Sequence, residues 1–358
     1  MKNPVERLAE KLLKDSKKAA LVYTVKNIRY LAEFDQTDGA LLIMPEVAYL
    51  LVDSRYSEAA RNEAKNVEVV EFTNLSNTIS ELVKKHGTEA VYLEAEGISY
   101  ALAGRMQKLF GEIGVNPVID NSLDDVIRAL RIIKSPDEIK KMEASQAITD
   151  AAFEYILPKI KEGVTEREIA LDIEFFMRKQ GAENVAFQLI VVSGKNTSLP
   201  HGVPSDKKFE KGDFITMDTG AILDGYHSDM TRTVALGYVN EEQKDIYNTV
   251  LKAHLAAMEV IKPGIKCSSV DKVARDIIDA KYPGTFGHGL GHGVGFEIHE
   301  WPRFSRLDDT ITEAGMIITD EPGIYLPGKY GVRIEDMVLV TEDGYRSLTK
   351  SPKELIIL

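Results

Sequence analysis

Cysteine is almost absent from this chain, since Cys267 is the single cysteine in 358 residues. An intrachain disulfide and a metal site built from several thiolates are therefore excluded. Basic residues are also fewer than acidic ones: the chain has 44 Lys and Arg and 56 Asp and Glu, which gives a formal net charge of −12. This balance argues against nucleic acid or an anionic membrane as the main partner.

Long apolar runs are missing as well. No stretch of about 18 apolar residues occurs, so a transmembrane helix is not expected. The first 18 residues, MKNPVERLAEKLLKDSKK, are amphipathic and charged and lack the apolar core of a signal peptide. The hydrophobic content of 44% and charged content of 28% are typical of an ordinary globular protein. We therefore expect a cytoplasmic protein.

Nucleotide-binding loops are also absent, although one stretch is rich in glycine. Residues 286–303 read FGHGLGHGVGFEIHEWPR, with glycine at every second position from 287 to 295. No window has the spacing of a dinucleotide loop, and the Gly-Lys-Ser/Thr of a P-loop does not occur. His299-Glu300 begins like a zinc-binding H-E-x-x-H helix, but Arg303 stands where the second histidine belongs and Pro302 would break the helix.

The chain length predicts two domains, because single cores rarely grow beyond about 250–300 residues. Residues 1–125 alternate strand-like and helix-like runs, which predicts a small α/β domain. We interpret residues 126–134 as a linker and residues 135–358 as a second domain. Capping boxes predict helix starts in that domain, with Ser135 and Glu138 forming the first and Thr165 and Glu168 the second.

A predicted hairpin brings two carboxylates together. In FITMDTGAILDGYHSDMTRT, residues 214–233, Asp224-Gly225 marks a turn between two strands. If residues 222–225 form the turn, Asp218 lies opposite Asp229, and a slip of two residues keeps both side chains on one face. The alternative is a pair of aspartates on an exposed hairpin. The apolar strand before Asp218 argues against that alternative.

Two further carboxylates lie at predicted strand ends, Glu321 before Pro322 and Glu335 after Ile334, with Arg333 on the same face as Glu335. If Asp218 and Asp229 converge with them, the four groups cannot all stay ionised in a dry site without cations. Two divalent metal ions would cancel this charge. One added histidine makes a nitrogen and oxygen ligand set suited to Mn, Co, Zn or Fe.

The histidines fall largely in or beside these motifs. His292 is the candidate metal ligand, His299 a candidate for proton transfer or substrate contact, and His201 a substrate-facing residue on a Pro/Gly loop, with a plain surface histidine as its alternative. His288 is interpreted as a core histidine or a neighbour of the ligands. His86 and His254 lie on charged helical runs and are expected to face solvent.

At this point the residues resemble a known family, the proline-specific metallopeptidases of the pita-bread fold, which include Xaa-Pro dipeptidase (prolidase) and aminopeptidase P. The resemblance covers essentially the whole chain and implies a creatinase/prolidase-type N-terminal domain before a pita-bread catalytic domain. It is carried by the following motifs: NIRYLAEF, LLVDSRYSEAA and KSPDEIKKM, then LPHGVPSDKKFEKGDFITMDTGA, GYHSDMTRT, GHGLGHGVGFEIHEWPR, EPGIYLPG and GVRIEDMVLVT.

The resemblance implies a role for each candidate residue. Asp229 and Glu335 would bridge two metal ions, His292 and Glu321 would complete one site, and Asp218 would belong to the other. A hydroxide between the ions would be the nucleophile, with Glu321 as the base that accepts its proton. The remaining residues would line the substrate pocket: His201, His299, Arg303 and Arg333.

The implied activity is hydrolysis of the Xaa-Pro bond of dipeptides, in a homodimer. Two alternatives stay open: an aminopeptidase P acting on longer peptides, and a non-enzymatic binding protein, which the retained ligand set disfavours. We predict that Arg303 holds the carboxylate of a dipeptide; the alternative is a surface arginine paired with Asp308 or Asp309. One residue departs from the family pattern, since Asp320 replaces an apolar or small residue before Glu321. On a strand it is expected to point away from Glu321.

Overall fold

The structure, a computed structural model, describes residues 2–14, 17–35 and 38–358. The chain divides into two compact units, Met1–Arg131 and Ile132–Leu358. The division falls inside the segment interpreted as a linker. Most of that segment is helical, because the helix Ser122–Ile132 runs through it.

The first unit is built on one six-stranded sheet with helices, as the α/β pattern predicted. The strands are β1 (Lys18–Val22), β2 (Ala40–Ile43), β3 (Ala48–Val52), β4 (Glu68–Glu71), β5 (Ala90–Leu93) and β6 (Asn116–Val118). Their order in the sheet is β4-β3-β2-β1-β5-β6, and the central strands β1, β2 and β3 are apolar and almost entirely buried. The helices are α1 (Pro4–Leu12), α2 (Val25–Ala32), α3 (Ser57–Glu63), α4 (Leu75–Lys85), α5 (Tyr100–Glu112) and α6 (Ser122–Ile132).

The second unit combines four helices with several small antiparallel sheets. Its helices are α7 (Pro136–Ile156), α8 (Glu166–Lys179), α9 (Glu241–Glu259) and α10 (Cys267–Asp279), with short 3-10 turns at Leu157–Lys159 and Gly194–Ser198. Its strands are β7 (Asn184–Val185), β8 (Ile190–Ser193), β9 (Phe214–Thr219), β10 (Ala221–Leu223), β11 (Tyr226–His227), β12 (Met230–Ala235), β13 (Gly291–Gly293), β14 (Glu300–Phe304), β15 (Ile317–Asp320), β16 (Gly323–Leu326), β17 (Tyr330–Arg333), β18 (Asp336–Val340) and β19 (Tyr345–Ser347). Across the described part of the chain, no helix has the length and apolar character that spanning a bilayer requires.

Both predicted capping boxes are confirmed. The Ser135 hydroxyl accepts from the backbone N–H of Glu138 at 3.3 Å, and the carboxylate of Glu138 accepts from the N–H of Ser135 at 2.8 Å. Thr165 and Glu168 make the same reciprocal pair at the start of α8. Each box satisfies two of the N–H groups that a helix start leaves unpaired, and such a cap contributes about 1 kcal/mol.

Two apolar layers place the sheets of the second unit. One core packs α7 and α8 against β8, β9 and β12, through residues such as Ile156, Met177 and Met217. The other packs α9 and α10 against β15 and β18, through residues such as Val250, Ile318 and Val338. Polar residues at the ends of the strands in both cores line one cavity.

Candidate active site

The hairpin that carries Asp218 and Asp229 has a register two residues away from the prediction. Asp218 on β9 pairs with Thr231 on β12, so the expected pairing of Asp218 with Asp229 is wrong. The reason is the turn, whose two central residues are Asp224 (φ 49°) and Gly225 (φ 80°), one residue later than predicted. A shift of two residues preserves the face, and both carboxylates line the same cavity.

The second half of the site comes from the sheet β14-β13-β15-β18-β19. His292 is the middle residue of β13, Glu321 directly follows β15, and Glu335 directly precedes β18. The flanking glycines are required by close approach of the backbone. A Cβ atom would lie 1.8 Å from the Thr319 carbonyl oxygen at Gly291, and 2.4 Å from the Trp301 carbonyl oxygen at Gly293. The part of the glycine-rich stretch around His292 is therefore a short, tightly packed strand with His292 facing the cavity.

The predicted site residues converge on one cavity of about 690 Å³. The Nε2 atom of His292 lies 3.6 Å from Oδ2 of Asp229 and 3.7 Å from Oε1 of Glu321. Ligand atoms of Asp229, His292 and Glu335 all lie within 4.8 Å of one another. Two ligands bound to one ion at about 2.1 Å each are themselves about 3–3.5 Å apart, so the cluster is close to that spacing. The cavity is lined by all nine candidates: His201, Asp218, Asp229, His292, His299, Arg303, Glu321, Arg333 and Glu335.

Burial and mutual repulsion raise the pKa values of three carboxylates in the cavity. Burial, and next the charge of Glu335, raise the pKa of Asp229 and that of Glu321 well above their usual ranges. Burial, with Asp218 as the next cause, raises the pKa of Glu335 to about 8. The cluster therefore binds protons at neutral pH unless positive charge enters it.

His292 has the protonation state that a metal ligand needs. Burial, together with the neighbouring His299, lowers the pKa of His292 to about 4, so the ring is neutral at pH 7. Its Nδ1 lies 3.1 Å from the Gly293 carbonyl oxygen, which can only accept a hydrogen bond. The proton is thus on Nδ1, and the lone pair of Nε2 faces the carboxylates.

Arg333 is buried in the cavity wall and is held by protein groups. Its guanidinium donates to Asp218 Oδ2 at 2.7 Å, to Thr231 Oγ1 at 3.0 Å and to the Tyr325 hydroxyl at 2.9 Å. The Thr231 hydroxyl in turn donates to Glu335 Oε2 at 2.7 Å. Burial, which opposes the charge, is outweighed by Tyr325 and Asp218, and the pKa of Arg333 is raised.

Thr231 and Tyr325 were missed in the sequence. Period-two spacing was the available signal for both, because Thr231 follows Asp229 by two residues and Tyr325 follows Glu321 by four. Side chains at those offsets lie on the face of the preceding ligand. The Thr231 hydroxyl reaches the cluster directly, at Glu335, whereas the Tyr325 hydroxyl is linked to Asp218 through Arg333.

The residues fit a centre of divalent cations. The four carboxylates carry up to four negative charges, against which Arg333 supplies one positive charge. Among the described residues, the buried Oδ1 atom of Asp218 has no hydrogen-bond partner. A buried acceptor without a donor is costly, and a cation would satisfy it. Oxygen ligands with one imidazole suit first-row divalent metals.

Three exposed side chains complete the mouth of the cavity. His299 lies edge-on to His292, with ring centroids 4.4 Å apart, and its pKa is lowered by burial and by Arg303. His201 lies on the loop after the 3-10 turn Gly194–Ser198. Arg303 on β14 pairs in register with His292, so both side chains lie on one face of the sheet.

The alternative for Arg303, an ion pair with Asp308 or Asp309, is not what the structure contains. Asp308 accepts from the backbone N–H of Arg303 at 2.8 Å, and Asp309 pairs with Lys266 at 3.0 Å. Within the described residues, the Arg303 guanidinium has no carboxylate partner and packs over Trp301, 5.4 Å from the ring centroid. Its charge is thus available to a ligand in the cavity.

Two histidines outside the ligand set differ in environment. His288 contributes to the cavity wall, with Nε2 2.9 Å from the Tyr325 hydroxyl, and burial, followed by Arg333, lowers its pKa to about 4. The prediction that His254 faces solvent is wrong, because this side chain is fully buried. Helix α9 presents it to β15 and β18, where Asp320 lies 3.1 Å away. Asp320 does point away from Glu321, as expected.

Comparisons with known proteins agree with this geometry. Residues 140–342 match metallopeptidase family M24, and residues 4–133 match the creatinase/prolidase N-terminal domain. The Xaa-Pro dipeptidase of Pyrococcus furiosus is 41% identical, over 99% of this chain and 100% of its own length.

Solved structures show the same likeness. The Xaa-Pro dipeptidase from Bacillus anthracis has a TM-score of 0.94 at 41% identity, covering 99% of each chain. The X-Pro aminopeptidase from Thermotoga maritima has a TM-score of 0.90 at 35% identity, covering 98% of this chain and 99% of that one. The chain therefore belongs to metallopeptidase family M24, and it is an enzyme of the prolidase type.

Proposed function

We propose that this enzyme hydrolyses the Xaa-Pro bond of dipeptides with two divalent metal ions. The observation that carries the proposal is the position of Arg303. Its guanidinium has no carboxylate partner in the described residues, and its strand neighbour is His292 in the cluster. A dipeptide places its terminal carboxylate within a few bonds of the scissile carbonyl, so one cavity accommodates both ends.

The carboxylates and His292 would hold the ions. In our assignment Asp229 and Glu335 would serve both ions, His292 and Glu321 would complete one site, and Asp218 would complete the other. Manganese, cobalt, zinc and iron all accept this ligand set. When bound, such ions make water a nucleophile at neutral pH and polarise the scissile carbonyl.

The side chains of the cavity would move the protons. Glu321 is partly exposed to the cavity and lies at the carboxylate cluster, and the family resemblance implies that it would be the base for the attacking water. The Xaa-Pro bond is a tertiary amide, and its nitrogen must gain a proton before it leaves. His299 and His201 lie at the cavity mouth, where they can donate to that nitrogen or to the developing oxyanion.

An aminopeptidase acting on longer Xaa-Pro peptides is the second candidate. It is supported by the likeness to the X-Pro aminopeptidase from Thermotoga maritima. The two activities differ at the carboxyl side of proline, where a longer peptide has an uncharged amide. We also propose that the enzyme is a homodimer, as the family resemblance implies, and sedimentation of the purified protein measures its oligomeric state.

Product analysis on Ala-Pro and Ala-Pro-Ala tests the proposed function. We expect metal-loaded enzyme to cleave Ala-Pro at least tenfold more efficiently in kcat/KM, because one charge-assisted contact contributes about 1.5–3 kcal/mol. Activity should disappear in chelator and return with Mn²⁺ or Co²⁺. Preferred release of alanine from Ala-Pro-Ala would favour the aminopeptidase, and full activity after verified metal removal would contradict the metal centre.

The stability of the metal-free enzyme is expected to fall as pH rises. The pKa of Glu335 is raised from 4.5 to about 8, so the folded state holds this proton more tightly than the unfolded chain. Its contribution to stability is complete below pH 4.5 and is lost as pH rises through 8. Bound cations would remove this penalty, so saturating Mn²⁺ should raise Tm more at about pH 8 than at about pH 6.

Thermal unfolding at both pH values, with and without Mn²⁺, measures this effect. Glu335→Gln is the informative variant, because glutamine cannot ionise. The Tm of its metal-free form should fall less between about pH 6 and about pH 8 than the Tm of metal-free wild type. A metal-induced rise in Tm that is equal at both pH values, or larger at the lower one, would contradict the prediction.

A further inference from the structure

A second group of ionisable side chains lies behind the carboxylate cluster. Asp320, His254 and Asp336 are all fully buried. The imidazole of His254 lies between the two carboxylates, with Nδ1 3.1 Å from Asp320 Oδ2 and Nε2 3.7 Å from Asp336 Oδ2. None of these groups lines the cavity, so any effect on catalysis must pass through their neighbours.

Strand pairing links the two aspartates to the residues of the carboxylate cluster. Asp320 on β15 and Asp336 on β18 are direct partners in the antiparallel ladder. Glu321 is the next residue after Asp320, and Glu335 is the residue before Asp336. Like charges directly opposite on paired strands repel, and burial strengthens the repulsion. The paired aspartates therefore lie one residue from Glu321 on one strand and one residue from Glu335 on the other.

Asp336 has several cationic neighbours, whereas Asp320 depends on His254. Arg232 donates to Asp336 Oδ1 at 2.7 Å, and Lys353 lies 2.7 Å from Asp336 Oδ2. Among the described residues, His254 is the cationic group within ion-pair distance of Asp320. Burial disfavours the charged imidazole, but the two carboxylates outweigh it and raise the pKa of His254 to about 9.

Arg232 connects this buried group to strand β12, on the side of the site that carries Asp229. Its guanidinium also donates to the carbonyl oxygen of Glu335 at 2.6 Å. Arg232 lies on β12, three residues after Asp229. The buried group thus joins the strands that carry Asp229, Glu321 and Glu335, without touching a carboxylate of the cluster.

We propose that His254 is a positioning residue for the metal centre: by bridging Asp320 and Asp336, it holds the ends of β15 and β18 at the separation that lets Glu321 and Glu335 serve the same pair of ions. This role rests on the metal centre of the proposed function. Ligand distances must be correct to within about 0.2 Å, so a small change in strand separation weakens binding. Loss of a residue that orients metal ligands commonly costs about 10–100-fold in metal affinity.

Cobalt binding is the direct test, because Co²⁺ absorption reports ligand geometry independently of catalysis. Wild type, His254→Gln, Asp320→Asn and the double variant are each titrated with Co²⁺ after metal removal. We expect about 10–100-fold weaker binding and an altered absorption spectrum for each single variant. The double variant should recover part of the affinity, because it leaves no uncompensated charge on either partner.

Met177→Ala is the control for simple loss of stability. This side chain is fully buried in the core between α7 and α8, away from the ligands. The Met177→Ala substitution should lower Tm and leave the Co²⁺ affinity and the Co²⁺ absorption spectrum unchanged. If His254→Gln behaves like Met177→Ala, with lower Tm and normal cobalt binding, the positioning role is wrong.

Two further outcomes are decisive. Should His254→Gln fail to fold, Asp320→Asn keeps the size of its side chain while removing the charge that His254 meets, and wild-type cobalt binding by that variant overturns the proposal. Wild-type protein that binds no Co²⁺ would contradict the proposed metal centre itself, whereas normal binding in every variant would contradict only the role of His254.

Discussion

Asp229→Asn is expected to abolish peptidase activity and to reduce bound metal at both positions of the centre. Asp229 is 4% exposed, and one of its oxygens lies 3.6 Å from Nε2 of His292. Burial, and then the charges of Glu335 and Asp218, raise the pKa of Asp229, so its carboxylate lies close to both of those carboxylates. In the proposed centre Asp229 serves both ions, so its neighbours cannot replace it. Loss of several kcal/mol of metal-derived stabilisation corresponds to about a thousandfold or more in rate.

Metal content per subunit, measured by elemental analysis beside kcat/KM, checks this result. Asp224→Asn is the matched control, because it makes the same chemical change in the same hairpin at an exposed turn residue. Asparagine tolerates the positive φ of that turn. The control should keep wild-type activity and metal. An Asp229→Asn protein with unchanged metal stoichiometry would disprove the shared ligand.

Arg303→Ala is expected to slow Ala-Pro hydrolysis about ten- to a hundredfold, with a much smaller effect on any cleavage of Ala-Pro-Ala. The planar guanidinium matches a carboxylate, and its charge is not neutralised by a neighbouring carboxylate in the described residues. Loss of a charge-assisted contact of about 1.5–3 kcal/mol gives this change in kcat/KM. The ratio of kcat/KM on the two substrates is the measurement.

Arg306→Ala is the control for Arg303, since it removes another exposed arginine three residues away that does not line the cavity. Arg303→Lys should recover only part of the loss, because lysine keeps the charge but not the fork. Equal losses on both substrates would indicate a general structural effect. Unchanged kinetics on both would show that Arg303 does not contact the substrate.

Local patterns in the sequence were informative about local structure. Both capping boxes began helices where the Ser/Thr and Glu spacing placed them, because each involves only four consecutive residues. The Asp224-Gly225 dipeptide was correctly predicted to form a turn, because it accepts positive φ at both positions. The register of the hairpin was wrong, because the turn is centred one residue later than predicted and such a displacement shifts every cross-strand partner by two.

The identities of the nine predicted cavity residues came from the sequence. The four carboxylates and three histidines were indicated by their positions at strand ends, on a loop and in the glycine-rich stretch, and the two arginines by the family resemblance. Their mutual distances, their pKa values and the partners of Arg333 were decided by the tertiary structure. Those quantities depend on contacts between residues more than 100 positions apart, such as Arg333 with Asp218. His254 shows the limit most clearly. Its helix is rich in charge, yet it is buried because α9 packs on a sheet whose two aspartates lie more than 60 residues further along the chain.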